Sequence, residues 1–142
     1  METDKIIKIL SKNSRLLNNL DEHEILDVLK FCVTKVCTDK EIVFKEGSRG
    51  NELFIIVSGS VIIKKSGKVI DVIRSGECFG EMAAWSDELR SATAESDGNL
   101  LLIAVVLDKF DFVSKELQIK LLKNILAVVS ARLTRRIEEI AH

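Results

Sequence analysis

Between Val33 and Val106 the chain never runs long enough without a turn signal to form a crossover helix, and this limits its fold more than any other feature. Short β-branched runs alternate with glycines across this region. Ile42-Val43-Phe44 is followed by Glu46-Gly47-Ser48-Arg49-Gly50, and then by Leu53-Phe54-Ile55-Ile56-Val57. Gly59-Ser60 and Ser66-Gly67 stand between apolar runs at two-residue hairpin spacing, with Val61-Ile62-Ile63 and Val69-Ile70-Asp71-Val72-Ile73 as the flanking strands. Leu100 to Val106 supplies a last, nearly wholly apolar strand. Short strands at this spacing with no helix between them predict an antiparallel barrel or jelly roll and exclude a βαβ sheet.

Helical periodicity brackets this block. Asp4 to Leu10 reads as a short first helix. Asp21 and Glu24 form a capping box, with Leu20 and Ile25 at staple positions, opening a helix from Glu22 to about Phe31. After Leu107 the period becomes helical again. Asp108 is expected to cap a short helix, with Asp111 at its third position, and a break near Ser114 to Gln118 separates it from a long one. Along the long helix Ile119, Leu122, Leu126, Val129, Leu133 and Ile140 keep a 3-4 spacing whose missing seat is Arg136. Ile125, Val128 and Ile137 widen the stripe. The stripe is broad enough to pack on the strands and also to meet a second copy, so a homodimer through this helix is expected.

Charge and cysteine usage narrow the function classes. Lys plus Arg number 21 against 22 Asp plus Glu, which argues against an electrostatic grip on nucleic acid. No apolar stretch reaches the roughly 18 residues of a membrane span, and the charged N-terminus is no signal peptide, so a cytoplasmic protein is expected. Cys32, Cys37 and Cys78 lack metal or disulfide spacing and read as free thiols. The histidines are His23, in the capping-box region, and His142, so no HxH or HExxH set is present and no metal is expected. With no GxSxG or P-loop either, the chain is not expected to be an enzyme.

The chemistry concentrates in Gly76 to Ala94. Gly80 lets backbone approach a ligand closely. Ala83 and Ala84 can start a helical turn whose first N–H groups are free to meet an anion. Arg90, nine residues after Glu81, can return a guanidinium over that turn. Guanidinium and N–H groups suit a phosphate, whereas a carboxylate suits the hydroxyls of a sugar. Together they describe a ribose-phosphate pocket.

The order Phe79-Gly80-Glu81-Met82-Ala83, then Ala84 to Leu89, then Arg90-Ser91-Ala92-Thr93-Ala94, resembles the phosphate-binding cassette of cyclic nucleotide-binding domains of the catabolite-activator and protein kinase A regulatory type. Upstream, Phe44 to Val61 resembles the strand–EGS–G–strand–GxV stretch of the same family. The likeness runs from about Leu17 to the final helix. It implies one stand-alone domain over residues 1–142. N-terminal helices would occupy 1–31, a β-roll 32–107 with the cassette at 76–94, and a C-terminal helix pair 108–142, in a mainly β fold with flanking helices (α+β).

The resemblance also implies site roles. Glu81 would accept from the ribose 2′-OH, and Arg90 would pair with the cyclic phosphate, aided by backbone N–H groups around Met82 and Ala83. Gly80 would give close approach and Ser91 a hydroxyl to phosphate, or to a guanine amino group. The ligand is cAMP or cGMP, with cAMP favoured. The base would lie against Ile70 and Ile73 beneath the final helix between Leu133 and Ile137, where Arg135 or Arg136 stacks on it or stays solvated. Leu89 stands where the family often has proline, which loosens the loop presenting Arg90. Trp85 replaces a smaller aliphatic residue and is expected in the core. A helix-turn-helix would need about 25 residues beyond the long helix, so no DNA contact is expected by that route. The expected function is a nucleotide-sensing regulatory module read out through its C-terminal helices. The alternative is a ligand-free dimerising scaffold with a degenerate pocket.

Overall fold

The computed structural model describes residues 14–81 and 88–141, together with Lys5, Lys8 and Lys12. A 3-10 turn at Arg15–Leu17 and a short helix at Glu22–Leu29 lead into six strands: β1 (Cys32–Cys37), β2 (Ile42–Phe44), β3 (Glu52–Lys65), β4 (Lys68–Arg74), β5 (Cys78–Phe79) and β6 (Thr93–Val106). A second 3-10 segment, Leu107–Phe112, precedes the long helix, Lys115–Ala141. Every strand pair is antiparallel. The sheet order is β1-β6-β3-β4, with β2 also on β6 and β5 also on β3, so the two long central strands form the spine.

The spine strands are apolar on both faces because each face has its own core. Successive side chains of a strand point to opposite sides. On β3, Leu53, Ile55 and Val57 join the cluster that packs under the helices, while Phe54 and Ile56 join the one inside the roll. On β6, Ile103 and Val105 take the helix side, and Leu102 and Ala104 the interior. The helix-side core is completed by Leu16, Ile25 and Val28 from the N-terminal segments and by Leu117, Leu121, Ile125 and Val128 from the long helix.

The capping box forms as the sequence predicts. Asp21 Oδ1 accepts from the Glu24 N–H at 2.8 Å, and Glu24 Oε1 accepts from the Asp21 N–H at 3.1 Å. The Ser66-Gly67 hairpin also forms, with φ of 51° and 80° and Lys65 opposite Lys68.

Three expectations are corrected. Gly59-Ser60 is not a hairpin: β3 runs straight through it, and the register against β6 shifts between Ser58 and Ser60. Gly59 has φ 99°, and a Cβ there would lie 2.5 Å from the Asn99 carbonyl oxygen, so the glycine serves a bulge that keeps both halves of the strand paired. The last strand starts at Thr93 rather than Leu100, since polar Glu95, Ser96 and Asp97 still pair with β3. Asp108 caps no helix. Its carboxylate accepts from Asn51 Nδ2 at 2.6 Å, and the segment it sits in is 3-10 with no side-chain cap.

The first predicted helix, Asp4 to Leu10, falls mostly outside the described residues, as do Trp85 and His142. No described helix is long and apolar enough to cross a membrane.

The long helix carries two apolar faces. Leu117, Leu121, Ile125 and Val128 are buried on the roll, whereas Ile119, Leu122, Leu126, Leu133 and Ile140 are exposed and Val129 is half-buried. The buried set advances three and four residues at a time, and the exposed set forms a second stripe beside it.

Candidate functional site

A cavity of about 240 Å³ opens among β4, the β5–β6 connection and the long helix. Phe44, Ile63, Ile70, Ile73, Phe79 and Ala92 make its apolar wall. Its charged lining is Asp71, Glu81, Arg90, Arg132 and Arg136. Three guanidinium groups thus face two carboxylates, a balance that favours an anion.

Arg90 is 4% exposed, and three chain segments fix it in place. Its backbone is clasped by the turn after β2: the Arg90 N–H donates to Ser48 O at 2.8 Å, and the Gly47 N–H donates to Arg90 O at 2.7 Å. Its side chain donates from Nη1 to Gly80 O at 2.8 Å and from Nη2 to Glu52 O at 3.0 Å. The guanidinium carbon lies 4.3 Å from the centre of the Phe44 ring. Burial pushes this guanidinium below its ordinary pKa, and the neighbouring Glu52 and Glu81 carboxylates oppose the shift.

Two glycines make room for it. A Cβ at Gly50 would come within 2.6 Å of Arg90 Nη2, and one at Gly80, where φ is 84°, within 2.9 Å of Nη1. Gly80 therefore shapes the seat of the arginine as well as lining the cavity. Gly50 and Phe44 play parts that the sequence reading saw only as turn and strand. The available signal is the EGS-R-G run, which lies in the stretch from Phe44 to Val61 that resembles the family pattern.

Glu81 follows directly on Gly80. It does not pair with Arg90. Its Oε1 accepts from Arg132 Nη1 on the long helix at 3.1 Å. Arg132 Nη2 also donates to Cys78 O, and Glu77 stands 3.8 Å away. Arg132 thus ties the long helix to the floor of the cavity. The sequence reading passed over it, although it lies one helical turn before Arg136 and so on the same face. A second tie joins Arg135 Nη2 to Asp71 on β4 at 3.3 Å. The Cys78 thiol is fully buried in the core under the helices, and burial pushes its pKa up to about 12, so it stays neutral.

Among the described residues four buried side-chain atoms have no hydrogen-bond partner, and three of them belong to this constellation: Glu81 Oε2, Arg90 Nε and Arg132 Nε. Leaving such groups unpaired costs about 1–3 kcal/mol each, more where charged, unless something supplies the missing bonds. One free carboxylate oxygen and two free guanidinium N–H groups match a ligand that offers a hydroxyl and an oxyanion.

The structure brings most of the expected site residues together. Gly80, Glu81, Arg90, Ser91, Ile70, Ile73 and Arg136 all line the cavity. Ser91 also accepts at its carbonyl from Lys65 Nζ at 2.8 Å. Leu133 and Ile137 do not line it. Each sits one residue past a lining arginine, and the 100° rotation per residue carries them to the exposed face. Arg135 is engaged with Asp71, and Arg136 with Glu139 at 3.3 Å. Met82 and Ala83 lie outside the described residues. No group of three or more His, Cys, Asp or Glu side chains that could hold a metal occurs among the described residues.

Comparison with known proteins places this geometry. Residues 34–116 match the family model described as cyclic nucleotide-binding domain. A cGMP-dependent protein kinase of Plasmodium berghei is 32% identical over 111 residues, covering 78% of this chain, while the match spans 13% of the kinase. The regulatory domain of Toxoplasma gondii protein kinase A, solved with cAMP, superposes with a TM-score of 0.69 at 28% identity over 84% of this chain and 47% of that one. A cyclic nucleotide-binding domain from Methylobacillus flagellatus superposes with a TM-score of 0.86 at 20% identity, covering 99% of this chain and 83% of that one. The antiparallel sheet with its flanking helices is the β-roll of these proteins, and the chain belongs to the cyclic nucleotide-binding domain family.

Proposed function

We propose that the cavity binds a cyclic purine nucleotide, cAMP or cGMP, and that the chain, over residues 1–142, is one regulatory domain that reports occupancy through its long helix. The observation that carries this reading is the set of three orphaned buried polar atoms on residues that line one cavity. A ribose 2′-OH donating to Glu81 Oε2 and a cyclic phosphate accepting from Arg90 Nε would supply two of the three missing partners. Ser91, also in the lining, adds a hydroxyl to the phosphate end. Met82 and Ala83 keep the backbone role that the family pattern gives them, and Ile70 and Ile73 take the face of the base. No catalytic step is assigned to any residue.

Arg132 supplies the link to the helix. It shares Glu81 with the incoming hydroxyl, so a ligand that orders Glu81 also strengthens the tie between cavity and helix. Binding then shifts the population of helix packings by its differential affinity for them. The exposed stripe from Ile119 to Ile140 gives that shift an output. Its 3-4 spacing suits a second copy of the same helix, and we assign it to a homodimer.

The test is a calorimetric titration of nucleotide-free protein with cAMP and with cGMP, with Arg90→Ala as the control. Saturable binding at one ligand per chain, lost in the variant, is expected. Absence of binding by verified nucleotide-free protein refutes the proposal and leaves the ligand-free scaffold.

A further inference from the structure

The connection that presents Arg90 to the cavity has no proline to stiffen it, so its geometry depends on bonds from other segments. Ser48 and Gly47 grip the backbone of Arg90 itself. The next residue has a grip of its own, from the end of β3. Lys65 Nζ donates to Ser91 O at 2.8 Å and stands 3.2 Å from Glu46 Oε2. Glu46 is fixed in turn: its Oε1 accepts from the Ser66 N–H at 3.0 Å, and its own N–H donates to Thr93 Oγ1 at 2.9 Å. The Ser66 N–H, and then Lys65, hold the Glu46 carboxyl below its ordinary pKa, so the pair is charged at neutral pH. The turn after β2, the β3–β4 hairpin and the start of β6 are thus lashed together where the connection rejoins the sheet.

The Ser91 carbonyl belongs to the planar peptide that joins Ser91 to Ala92, and both residues line the cavity. Holding that oxygen sets the plane of the peptide, and with it the backbone from which Arg90 and Ser91 project. Neither Lys65 nor Glu46 lines the cavity. Their side chains are 51% and 35% exposed, so the pair has little stake in the stability of the fold. Resting on the nucleotide reading above, we propose that Lys65, held by Glu46, is a positioning residue for the phosphate end of the cavity. It orients the Arg90–Ser91 backbone for a ligand it does not touch. A lysine also acts on a phosphate through its charge, and the two roles predict opposite signs for Glu46. Removing that carboxylate favours an anion through the field, but it frees Lys65 and weakens a site that depends on its position.

The experiment measures dissociation constants for cAMP and cGMP on the full nucleotide-free chain by calorimetry. It compares the wild type with Lys65→Met, Lys65→Arg and Glu46→Ala, and records the thermal unfolding of each without ligand. Lys65→Met should weaken binding by about three- to tenfold, the loss expected for one charge-assisted hydrogen bond near the surface. Lys65→Arg, which keeps the charge, the reach and the donors, should stay within about twofold of the wild type. Glu46→Ala should weaken binding by about threefold or more. Each Tm should lie within about 2 °C of the wild type, as for an exposed pair. Unchanged affinity in Lys65→Met, unchanged or tighter binding in Glu46→Ala, or an equal loss in Lys65→Arg and Lys65→Met would each overturn the inference while leaving the nucleotide reading intact. A larger fall in Tm would overturn it too, by assigning the pair to the fold. If the wild type binds neither nucleotide, the nucleotide reading fails and Lys65 has no ligand to position.

Discussion

The tie between Arg132 and Glu81 sets a quantitative expectation for how firmly the long helix is held to the cavity. The two side chains are 15% and 11% exposed and meet at 3.1 Å. Solvent-exposed pairs couple by about 0.2–1 kcal/mol, and breaking a fully buried pair from one side costs about 3–5 kcal/mol. A pair this deep, still touching solvent at its edge, should couple by about 2 kcal/mol. Arg132→Met keeps helix propensity and the aliphatic stem but leaves Glu81 with no partner on either oxygen and removes the donor to Cys78 O. That single change should cost about 2–3 kcal/mol, a fall in Tm of about 6–9 °C for a chain of this length. Once Arg132 is gone, Glu81→Gln should cost far less than it does alone, since a neutral amide tolerates burial better than an unpaired carboxylate. The assay is a double-mutant cycle over Arg132→Met and Glu81→Gln by urea unfolding at neutral pH without nucleotide. A coupling below about 0.5 kcal/mol, which is ordinary additivity, would refute the reasoning. The helix would then be held by Leu117, Leu121, Ile125 and Val128 alone, and Arg132 could not carry a signal from the cavity.

Other expectations concern binding, assembly and pH. Arg90→Ala should weaken nucleotide binding by roughly 2–5 kcal/mol, or about 30-fold to several-thousand-fold, in the titration described above. Gly50→Ala should cost about tenfold or more in affinity while the arginine is retained, because the added methyl would sit 2.6 Å from a guanidinium that two carbonyls and a ring hold in place. Unchanged affinity would mean that the arginine can shift freely. Leu126 and Leu133 are 67% and 60% exposed, so Leu126→Glu with Leu133→Glu should spare the fold and yield a monomer by sedimentation; an unchanged sedimentation coefficient would place any dimer contact elsewhere. Cys32 and Cys78 are both pushed up to about 12 from an ordinary value of 9.0. The unfolded thiols ionise first, so this contribution is complete below about pH 9 and is lost as pH rises toward 12, by about 1.4 kcal/mol per pH unit for each thiol. Cys78→Ala should make the alkaline fall in urea stability shallower, and an unaltered slope would show that the thiol ionises as readily folded as unfolded.

What was legible in the sequence was local. The capping box at Asp21 and Glu24, the Ser66-Gly67 hairpin and the break before the long helix depend on side chains reaching backbone within a few residues, so residue type and spacing suffice for them. The cassette order from Phe79 to Ala94 was equally legible, because Gly80, Glu81 and Arg90 sit on one short connection. Gly59 misled for a related reason. A positive φ serves a turn or a bulge alike, and only the continued pairing of β3 with β6 selects the bulge.

The rest was decided by tertiary structure. Nothing in local spacing shows that Gly50, 40 residues earlier in the chain, clears space for Arg90, or that Gly47 and Ser48 grip its backbone. Nor does it show that the partner of Glu81 is Arg132, 51 residues later, rather than Arg90. The helix stripe showed that the long helix had apolar surface to bury. The docking on the roll determined that Leu117, Leu121, Ile125 and Val128 bury it while Leu126 and Leu133 stay outside. Asp71 was visible as an acid in an apolar strand, but its pairing with Arg135 depends on how the long helix docks. Local chemistry along the chain thus specifies which groups can meet a ligand. Which of those groups remain unpaired is a property of long-range packing, because every donor and acceptor near the cavity could have been satisfied by a neighbour, and only the folded arrangement leaves Glu81 Oε2, Arg90 Nε and Arg132 Nε without one.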